Sequence, residues 1–347
     1  MTRVTEYVPD IISFIKKIIE NGYGYVSNGS VYFDIEKFKE KFAYGKLKRL
    51  EAAETEPEEE QGEKKSKFDF ALWKKAKAGE PSWNSEWGEG RPGWHIECSA
   101  MASGIFGSQM DIHSGGVDLI FPHHENELAQ SEAHYCQEHW VKYFLHVGHL
   151  HIDKLKMSKS LKNFITIKEL LKNCTPRVLR LYFAMHQYDK TLNYSPENSL
   201  AESSEKDKKY KNFFSLLKSK VRDLSIESPQ KWQQKDIDLS KLFDTKKSSI
   251  HSHLLNNFDT GSVFTEIDEL VKATNTYLST DDVKLLLLTS VGDYLLKLFK
   301  VLGMNYQEET NQTSDNEDKI TDVLVKFRDR IRTNAKSDFK KILEICD

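Results

Sequence analysis

The pattern of apolar residues changes near the middle of the chain, and this change restricts the fold more than any other feature. Up to about residue 165 the sequence mixes a helical stretch with short strand-like pieces and loops rich in glycine, proline and tryptophan. Beyond that point apolar residues recur almost only at helical spacing, in segments separated by polar linkers. We therefore predict the α/β fold class for the first part and an α-helical bundle for the second.

Local signals place the individual elements. Helical spacing predicts a helix over residues 11–19, and the turn signal at residues 27–29 predicts a hairpin with a three-residue turn. The pieces MDIHSG and LIF are predicted strands, and Pro122 is predicted in the first turn of the next helix. The helices predicted for the second part cover roughly residues 167–187, 198–223, 238–254, 262–278, 281–302 and 318–345.

Length and composition are those of a globular protein with more than one domain. The chain has 347 residues, of which 39% are hydrophobic and 30% charged, and no apolar run approaches the roughly 20 residues of a membrane span. A net charge of -3 argues against general binding to nucleic acid but allows a local basic patch. The cysteines Cys98, Cys136, Cys174 and Cys346 lack a disulfide-like spacing. We therefore predict a reducing, cytoplasmic location and no membrane partner.

The segment at about residues 51–66 is predicted to be an acidic insertion. Seven glutamates and almost no apolar side chains lie between residues 51 and 63. A segment of this composition cannot bury a core, and a run of like charges is usually solvated. We therefore interpret it as a surface insertion rather than as a cluster of catalytic acids.

A loop with two lysines, KMSKS at residues 156–160, is the first candidate for chemistry. Lys156 and Lys159 suit a reaction in which a triphosphate loses pyrophosphate, because two ammonium groups can neutralise charge that moves to the leaving phosphates. The hydroxyl of Ser158 can add a hydrogen bond to the same oxygens. By itself the motif is more typical of a solvated basic loop, and only its context in the chain favours the phosphate site.

Cys98, His123 and Glu127 form the second candidate, a metal site. His123 and Glu127 are four residues apart on a predicted helix, so their side chains leave the same face. Thiolate, imidazole and carboxylate are accepted ligands of Zn²⁺. The next residue, His124, would point about 100° away on a regular helix, so the set excludes it. Spacing alone favours a plainer alternative, a buried free cysteine and an incidental histidine–glutamate pair, because only a fold can bring Cys98 close.

A glycine pair followed by an acid, Gly115, Gly116 and Asp118, is the third candidate. Glycine lets a backbone approach a ligand closely, and an acid at a strand end can bind a nucleotide ribose. A glycine pair alone is weak evidence. The histidine-rich helix start that follows strengthens it, because ribose and metal functions would then lie on one turn.

Taken together and in this order, the three motifs resemble the cysteinyl-tRNA synthetases, a family of class I aminoacyl-tRNA synthetases. The resemblance rests on GRPGWHIECSAM, DIHSGGVDLIFPHHENELAQSEA and KMSKSLKNF, with support from FALWK, GEPSW and YFAMHQYDKTLNYS. The acidic insertion resembles the eukaryotic type. The resemblance implies a partial class I Rossmann-type nucleotide-binding domain at residues 1–165, a stem-contact region at 166–205 and an α-helical anticodon-binding-type bundle at 206–347.

The resemblance also implies an activity and its site residues. ATP, used with Mg²⁺, would activate L-cysteine to cysteinyl-adenylate, and the cysteine would pass to tRNA(Cys). A zinc ion that prefers thiolate to hydroxyl would select cysteine over serine. The implied residues are Cys98, His123 and Glu127 for zinc, Trp94, His95 and His113 for the cysteine pocket, Gly115, Gly116, Asp118, Lys156, Ser158 and Lys159 for ATP, and Lys156 and Lys159 for catalysis. A histidine such as His95 or His113 is more commonly a satisfied core residue, and that alternative stays open.

The sequence departs from the family pattern at its beginning. The family carries a His-x-Gly-His box and a fourth zinc cysteine in an N-terminal half-Rossmann unit, and neither precedes Cys98 here. Residues 146–149 spell the box, but they lie just before the lysine loop and could not face it across a sheet. We therefore expect an N-terminally truncated chain that is inactive alone and whose open sheet edges favour self-association. The alternatives are a ligase that passes cysteine to a sugar amine and a non-catalytic zinc- and RNA-binding relative.

Overall fold

The structure is a computed structural model that describes residues 1–48, 63–157, 163–195, 198–224 and 231–307, with residues 320, 323, 324, 327, 328, 330 and 331. It divides into two units, Met1–His149 and Leu150–Asp347. Each unit has its own hydrophobic core. The finer division predicted at residues 165 and 205 stays a prediction.

Helix α1, Val8–Glu20, forms where the apolar spacing predicts it. Ile11 and Ile15 are fully buried, one turn apart on the same side of the helix. The helix ends at Asn21, and Gly22 then takes a positive φ of 89°, a conformation that suits glycine. The predicted first helix is therefore confirmed.

The hairpin of strands β1, Gly24–Ser27, and β2, Ser30–Phe33, has a tighter turn than predicted. The last residue of β1 pairs directly with the first residue of β2, so only Asn28 and Gly29 form the turn. Their φ angles are 49° and 81°, as in a two-residue turn whose twist matches that of the strands. The predicted three-residue turn is wrong because Ser27 belongs to the strand.

A five-stranded antiparallel sheet forms the frame of the first unit. Helix α2 and the three further strands of this sheet have the bounds α2 Ile35–Lys39, β3 Phe70–Lys75, β4 Trp83–Ser85 and β5 Gly88–Pro92. The strand order is β1-β2-β3-β5-β4. Phe70 and Leu72 of β3 are buried in the same core as the apolar face of α1. The sheet and α1 thereby fix the position of whatever packs on β3.

The glycine pair ends the first of two parallel strands. Helix α3, Trp94–Phe106, leads into β6, Met110–Gly116, and helix α4, Glu125–Tyr135, leads into β7, Val141–Val147. Strands β6 and β7 pair in parallel, so their carboxyl ends lie at the same edge. Ligands of parallel α/β sheets bind outside this edge.

The residues between β6 and α4 are helical turns, and the predicted strand LIF is wrong. Val117–Leu119 is a 3₁₀ turn and Ile120–His124 is a kinked helical turn, in which Phe121 alone has extended backbone angles. The neighbouring strand β7 ends opposite Gly116, so residues 119–121 have no strand to pair with. The helix predicted from Pro122 becomes regular only with α4.

The second unit contains three short strands, of which only the third, at residues 192–194, lies in the part of the chain that was predicted to be almost purely helical. Strand β8, Leu150–Ile152, turns back through Asp153 and Lys154 into β9, Leu155–Lys156. Strand β10, Leu192–Tyr194, pairs in parallel with β8. A strand of three residues shows no periodicity of its own, so its sequence did not reveal it.

Six helices, α5 to α10, follow among residues 163–307, and the last five of them share one core. The single helix predicted at residues 167–187 is two helices, because Thr175 caps a new helix that begins with Pro176. Proline lacks the N–H that a continuing helix needs, and it suits the first position of a new one. The bounds are α5 Ile167–Leu170, α6 Pro176–Ala184, α7 Ala201–Asp223, α8 Gln234–Leu255, α9 Thr260–Leu278 and α10 Leu285–Val301.

Two predicted segments lie mostly outside the described residues: the acidic insertion at about residues 51–66 and the last helix at residues 318–345. The helices predicted over residues 198–302 are confirmed to within a few residues. None of the helices among the described residues combines the length and the apolar character that crossing a membrane requires.

Candidate active site

Helix α3 starts against strand β3, and this contact places Trp94, His95 and Cys98. The helix is preceded by Gly93, where a Cβ atom would lie 2.1 Å from the carbonyl oxygen of Ala71. Only glycine allows so close an approach, so the start of the helix packs directly on the strand. His95 is consequently buried and Cys98 partly buried, whereas the indole of Trp94 stays 58% exposed.

Cys98, His123 and Glu127 meet at one point, which we call the metal corner. The Nε2 atom of His123 lies 2.8 Å from Oε1 of Glu127, so the two side chains leave the same side, as the spacing predicts. One potential ligand atom from each of the three residues lies within 4.8 Å of the other two. Cys98 reaches the others because α3 packs on α4, where the Ser99 hydroxyl donates to Oε1 of Gln130 at 2.6 Å.

Glu127 is fully buried, and two neighbouring histidines stabilise its negative charge. Burial would raise its pKa, but the adjacent His113 and His123 rings outweigh burial and lower the pKa of Glu127 to about 2. The Nε2 atom of His113 lies 3.0 Å from Oε2. Oε1 is buried and makes no well-aligned hydrogen bond with any residue that the structure describes, although Nε2 of His123 lies 2.8 Å away. These two atoms converge on the same space, as the ligands of one cation do.

The thiol of Cys98 is protonated in the metal-free protein at neutral pH. Burial, and then the negative charges of Glu127 and Glu97, raise the pKa of Cys98 to about 12. A divalent cation would reverse this preference, because a thiol loses its proton when it binds a metal. The acidic surroundings of the thiol therefore suit a cation.

His95 and Trp94 hold the ring of His123 in place. The Nδ1 atoms of His95 and His123 lie 2.8 Å apart, so one of them donates a proton and the other accepts it. When Nε2 of His123 presents its lone pair to the metal corner, its Nδ1–H is the donor, as in metal-binding histidines generally. The indole of Trp94 stacks on the imidazole of His123 with ring centroids 4.3 Å apart. The exposed indole therefore forms a wall beside the corner.

Two further histidines, His124 and His146, lie beside the metal corner. The rings of His113 and His124 have centroids 4.2 Å apart, and Nδ1 of His124 lies 2.8 Å from Nε2 of His146. Ligand atoms of His113, His124 and Glu127 also lie within 4.8 Å of one another. Burial, and then the charge of His113, lower the pKa of His124 to about 4. A second polar cluster therefore adjoins the first and shares Glu127 with it.

Neither histidine was among the predicted site residues. His124 was excluded because a regular helix would turn its side chain away, but Ile120–His124 is a kinked turn, so that rotation does not apply. His146 pairs in register with Gly115, a relation that only the parallel pairing of β6 and β7 creates. The histidines of residues 146–149 were a signal that something polar lies at this strand end.

The glycine pair lies at the carboxyl end of β6, where it has a packing role. A Cβ atom on Gly115 would lie 2.7 Å from Cε1 of His124, and one on Gly116 would lie 2.4 Å from Oδ1 of Asp118. At Gly115 the obstacle is a buried ring, so only glycine fits; at Gly116 it is the end of a side chain that can rotate. Glycine at position 115 therefore lets His124 pack on the backbone of β6.

The lysine loop begins at the edge of the small sheet in the second unit. Lys156 is exposed and ends β9, and the N–H of Met157 donates to the carbonyl oxygen of Leu150 at 3.1 Å. The side-chain amide of Asn163 donates to the carbonyl oxygen of Lys156 at 3.2 Å. Ser158 and Lys159, the other two residues predicted for this loop, lie outside the described residues.

Comparison with known proteins shows the class. The family model described as tRNA synthetases class I (C) catalytic domain matches residues 1–205. The free methionyl-tRNA synthetase of Mycobacterium tuberculosis has a TM-score of 0.60 at 12% identity, covering 87% of this chain and 74% of that chain. A putative arginyl-tRNA synthetase of Campylobacter jejuni has a TM-score of 0.58 at 12% identity, covering 88% and 63%. The fold is that of the class I tRNA synthetases, which confirms the predicted Rossmann-type part followed by helices.

Curated relatives narrow the class to a family. The cytoplasmic cysteine–tRNA ligases of Dictyostelium discoideum and Gallus gallus are 45% and 46% identical over 100% and 99% of this chain. The cysteine–tRNA ligase of Encephalitozoon cuniculi is 45% identical over 100% of this chain and 71% of its own length. The chain belongs to the cysteine–tRNA ligase family, as the resemblance implied. It spans about half the length of the first two relatives, covering 56% and 50% of them.

Proposed function

We propose that the site in this chain serves cysteine–tRNA ligase chemistry, in which ATP activates L-cysteine to cysteinyl-adenylate and the cysteine passes to tRNA(Cys). The observation that carries the proposal is the metal corner, where a thiol, an imidazole and a carboxylate converge within 4.8 Å. The names of the curated relatives support the same reaction. Two of these relatives are named as cytoplasmic enzymes, which supports a cytoplasmic location.

Zn²⁺ fits the metal corner by the chemistry of its donors. Sulfur, imidazole nitrogen and carboxylate oxygen form a common ligand set for zinc, and three protein ligands leave a position for a substrate atom. The buried Oε1 of Glu127, which makes no well-aligned hydrogen bond among the described residues, supports a cation at this point. Bound zinc would supply a soft Lewis acid that takes a thiolate in preference to a hydroxyl, and this distinguishes cysteine from serine.

The residues around the corner would orient the ligands and the substrate. His95 fixes the tautomer of His123 through their 2.8 Å contact, and His113 fixes one oxygen of Glu127. The exposed indole of Trp94 would bound the cysteine pocket, because it covers the ring of His123 on the side open to solvent. Each of these residues acts by position, since none of them must exchange a proton for cysteine to bind.

The residues proposed for ATP fall in two places, the carboxyl edge of β6 in the first unit and the lysine loop in the second. Gly115 and Gly116 would form the turn that holds the adenosine, as the resemblance implies, and the carboxylate of Asp118 would accept hydrogen bonds from the ribose hydroxyls. The ammonium groups of Lys156 and Lys159 would neutralise charge on the leaving pyrophosphate, with Mg²⁺ on the phosphates. The hydroxyl of Ser158 would donate to a phosphate oxygen in the same loop.

The second unit would contact tRNA(Cys). Its helical architecture supports the proposed stem-contact region at residues 166–205 and the anticodon-binding bundle at 206–347. Self-association is a further proposal, supported by two apolar side chains that pair across β6 and β7 and remain exposed. Ile112 is 57% and Tyr143 67% exposed, and parallel sheets are usually covered on both faces.

Cobalt spectroscopy tests the proposal without relying on turnover. The purified chain is loaded with Co²⁺, a divalent ion that accepts the same nitrogen, oxygen and sulfur ligands, and its sulfur-to-metal absorption is recorded. L-Cysteine should strengthen this absorption, because a second thiolate joins the metal. L-Serine and S-methyl-L-cysteine, which have no thiolate, should leave it unchanged. Equal responses to the three amino acids, or a chain that retains no metal, would overturn the proposal.

A further inference from the structure

Residues 44–47 lie across helix α4, and we call them the strap. The carboxylate of Glu125, in the first turn of α4, is 1% exposed and accepts three backbone hydrogen bonds from the strap. Its Oε1 accepts from the N–H groups of Gly45 and Lys46 at 2.7 and 3.1 Å, and its Oε2 accepts from the N–H of Leu47 at 2.8 Å. A buried carboxylate is costly unless it is hydrogen-bonded, so the strap and the start of α4 hold each other in place.

Side chains of the strap fasten it at two further points. Nζ of Lys46 donates to both carboxylate oxygens of Glu132, at 2.8 and 2.6 Å, and Glu132 is 1% exposed. The N–H of His139 donates to the same carboxylate at 3.0 Å. The hydroxyl of Tyr44 donates to Oδ1 of Asn126 at 2.6 Å. The strap therefore bonds to three side chains of α4 over two helical turns.

Helix α4 is buried almost all round, but its sequence is mostly polar. Nine consecutive residues, 125–133, are buried, and only Leu128, Ala129 and Ala133 among them are apolar. Apolar packing on so few side chains fixes the rotation of a helix poorly, because several rotations bury them equally well. The rotation of α4 about its axis therefore depends on its polar contacts, and the strap supplies six of those hydrogen bonds.

The face of α4 that contacts the strap is not the face that forms the metal corner. Glu125 and Glu132 are seven residues apart and share a face, whereas Glu127 is two residues from Glu125 and leaves on roughly the opposite side. A small rotation of α4 would therefore move the carboxylate of Glu127 away from Cys98 and His123. Metal ligands tolerate displacements of only a few tenths of an ångström, so the rotation of this helix matters for binding.

We propose that Glu125 and Lys46 are positioning residues of the metal corner: through the strap they fix the rotation of α4, and thereby hold Glu127 where it can bind a metal. The inference rests on the proposed function to the extent that the corner binds zinc. The coupling is reciprocal, because a metal that holds Glu127 also steadies the helix to which the strap is bonded.

The first test measures zinc affinity in a variant that replaces the carboxylate of Glu125 with an amide. Glu125→Gln keeps the size of the side chain but replaces one acceptor oxygen with an N–H₂ group that faces a backbone donor. The matched control is Glu138→Gln, at an exposed glutamate just after α4. Competition with a chelator should show zinc affinity about 10-fold weaker for Glu125→Gln, as for other outer-shell partners, and unchanged for the control. Wild-type affinity in a folded Glu125→Gln protein would overturn the inference.

Hydrogen exchange on the unaltered chain is the second test, and it decides the matter if Glu125→Gln does not fold. The amides of Gly45, Lys46 and Leu47 should exchange more slowly in zinc-loaded protein than after chelation, because their acceptor is held more firmly. Amides of α1 should not change. Equal exchange of the strap amides with and without zinc would overturn the inference. A wild-type chain that binds no zinc would instead overturn the proposed function, so the two failures are distinguishable.

Discussion

The metal corner of the first unit and the lysine loop of the second unit are built in opposite ways. In the corner, His123 and Glu127 are buried, and their ring and carboxylate atoms lie close to those of neighbouring side chains. Lys156, by contrast, is exposed at the end of a two-residue edge strand, and the adjacent Leu155 is 59% exposed. The corner is fixed by packing, whereas the described beginning of the lysine loop lies at an exposed sheet edge.

This difference matches the two tasks that we propose. A site that selects an amino acid by metal coordination needs its ligands in place before the substrate arrives, because misplacement by about 1 Å loses the selectivity. A loop that neutralises phosphates while pyrophosphate leaves has to follow charge that moves during the reaction. Substitutions in the two regions should therefore affect different measured quantities.

The largest effect is expected at the thiol of the metal corner. Cys98→Ser removes the strongest donor. Loss of a residue that only hydrogen-bonds to a metal ligand can weaken metal binding roughly 100-fold, so loss of this ligand should weaken zinc binding by at least that factor. Chelator competition measures it, and Cys136→Ser, an exposed cysteine after α4, is the control. Equal zinc affinity in the Cys98→Ser and wild-type proteins would remove the corner from consideration as a metal site.

Gly115→Ala should destabilise the fold by about 1–3 kcal/mol, because the new methyl group would overpack a buried ring. Its Cβ would lie 2.7 Å from His124 and 3.0 Å from Leu119. Urea denaturation measures the change in the free energy of unfolding. Gly104→Ala, on helix α3 with Tyr7 at 3.3 Å, is the control and should change it by less than about 1 kcal/mol. An unchanged free energy of unfolding in Gly115→Ala would show that packing does not require glycine at this position.

The stability of the fold around the metal corner should also depend on pH, through His134 of α4. Its ring stacks on Phe14, and burial lowers the pKa of His134 below its ordinary value of 6.5. The unfolded chain therefore binds a proton at His134 more readily than the folded chain does. The contribution of this group to the free energy of unfolding is fully present above pH 6.5 and declines as the pH falls below that value.

His134→Phe keeps the stacking but removes the titrating group. The free energy of unfolding of the metal-free variant should decline less steeply below pH 6.5 than that of the wild type. His139→Asn, at an exposed histidine beyond the helix, should keep the wild-type slope. An unchanged slope in His134→Phe would mean that burial of this ring does not couple the fold to pH.

The smallest effect on stability is expected in the lysine loop. Lys156→Ala should change the free energy of unfolding by less than about 0.5 kcal/mol, because the side chain is exposed, and it should leave zinc affinity unaltered. ATP affinity, measured by calorimetry, should fall more than in Lys168→Ala, an exposed lysine of α5. A loss of zinc affinity in Lys156→Ala would contradict the separation of the two regions.

The sequence predicted the elements whose signals are local. Helix α1 and the pair His123–Glu127 follow from spacing along the chain, and the break before α6 was readable from Pro176, although the analysis passed over it. Cys98 could be joined to His123 only through the family resemblance, because the contact depends on the packing of α3 against α4. That packing is tertiary and leaves no periodic trace.

The features that the sequence did not reveal depend on pairing between distant segments. His146 comes to Gly115 only through the register of β6 and β7, and β10 exists only because β8 offers it an edge. The prediction for His124 assumed a regular helix, but the residues before α4 form a kinked turn, so His124 was not included. Local propensity carries no information on any of these three relations.

Strand β10 also decides when the base of the lysine loop is completed as the chain is synthesised. The β8–β9 hairpin can form as soon as it leaves the ribosome, but with two residue pairs it is too short to be stable alone. Its parallel partner appears only after Tyr194 has been translated, when α5 and α6 already lie between. Closing such a non-local pair is slow, so a chain paused before residue 192 presents the loop to proteases without its support.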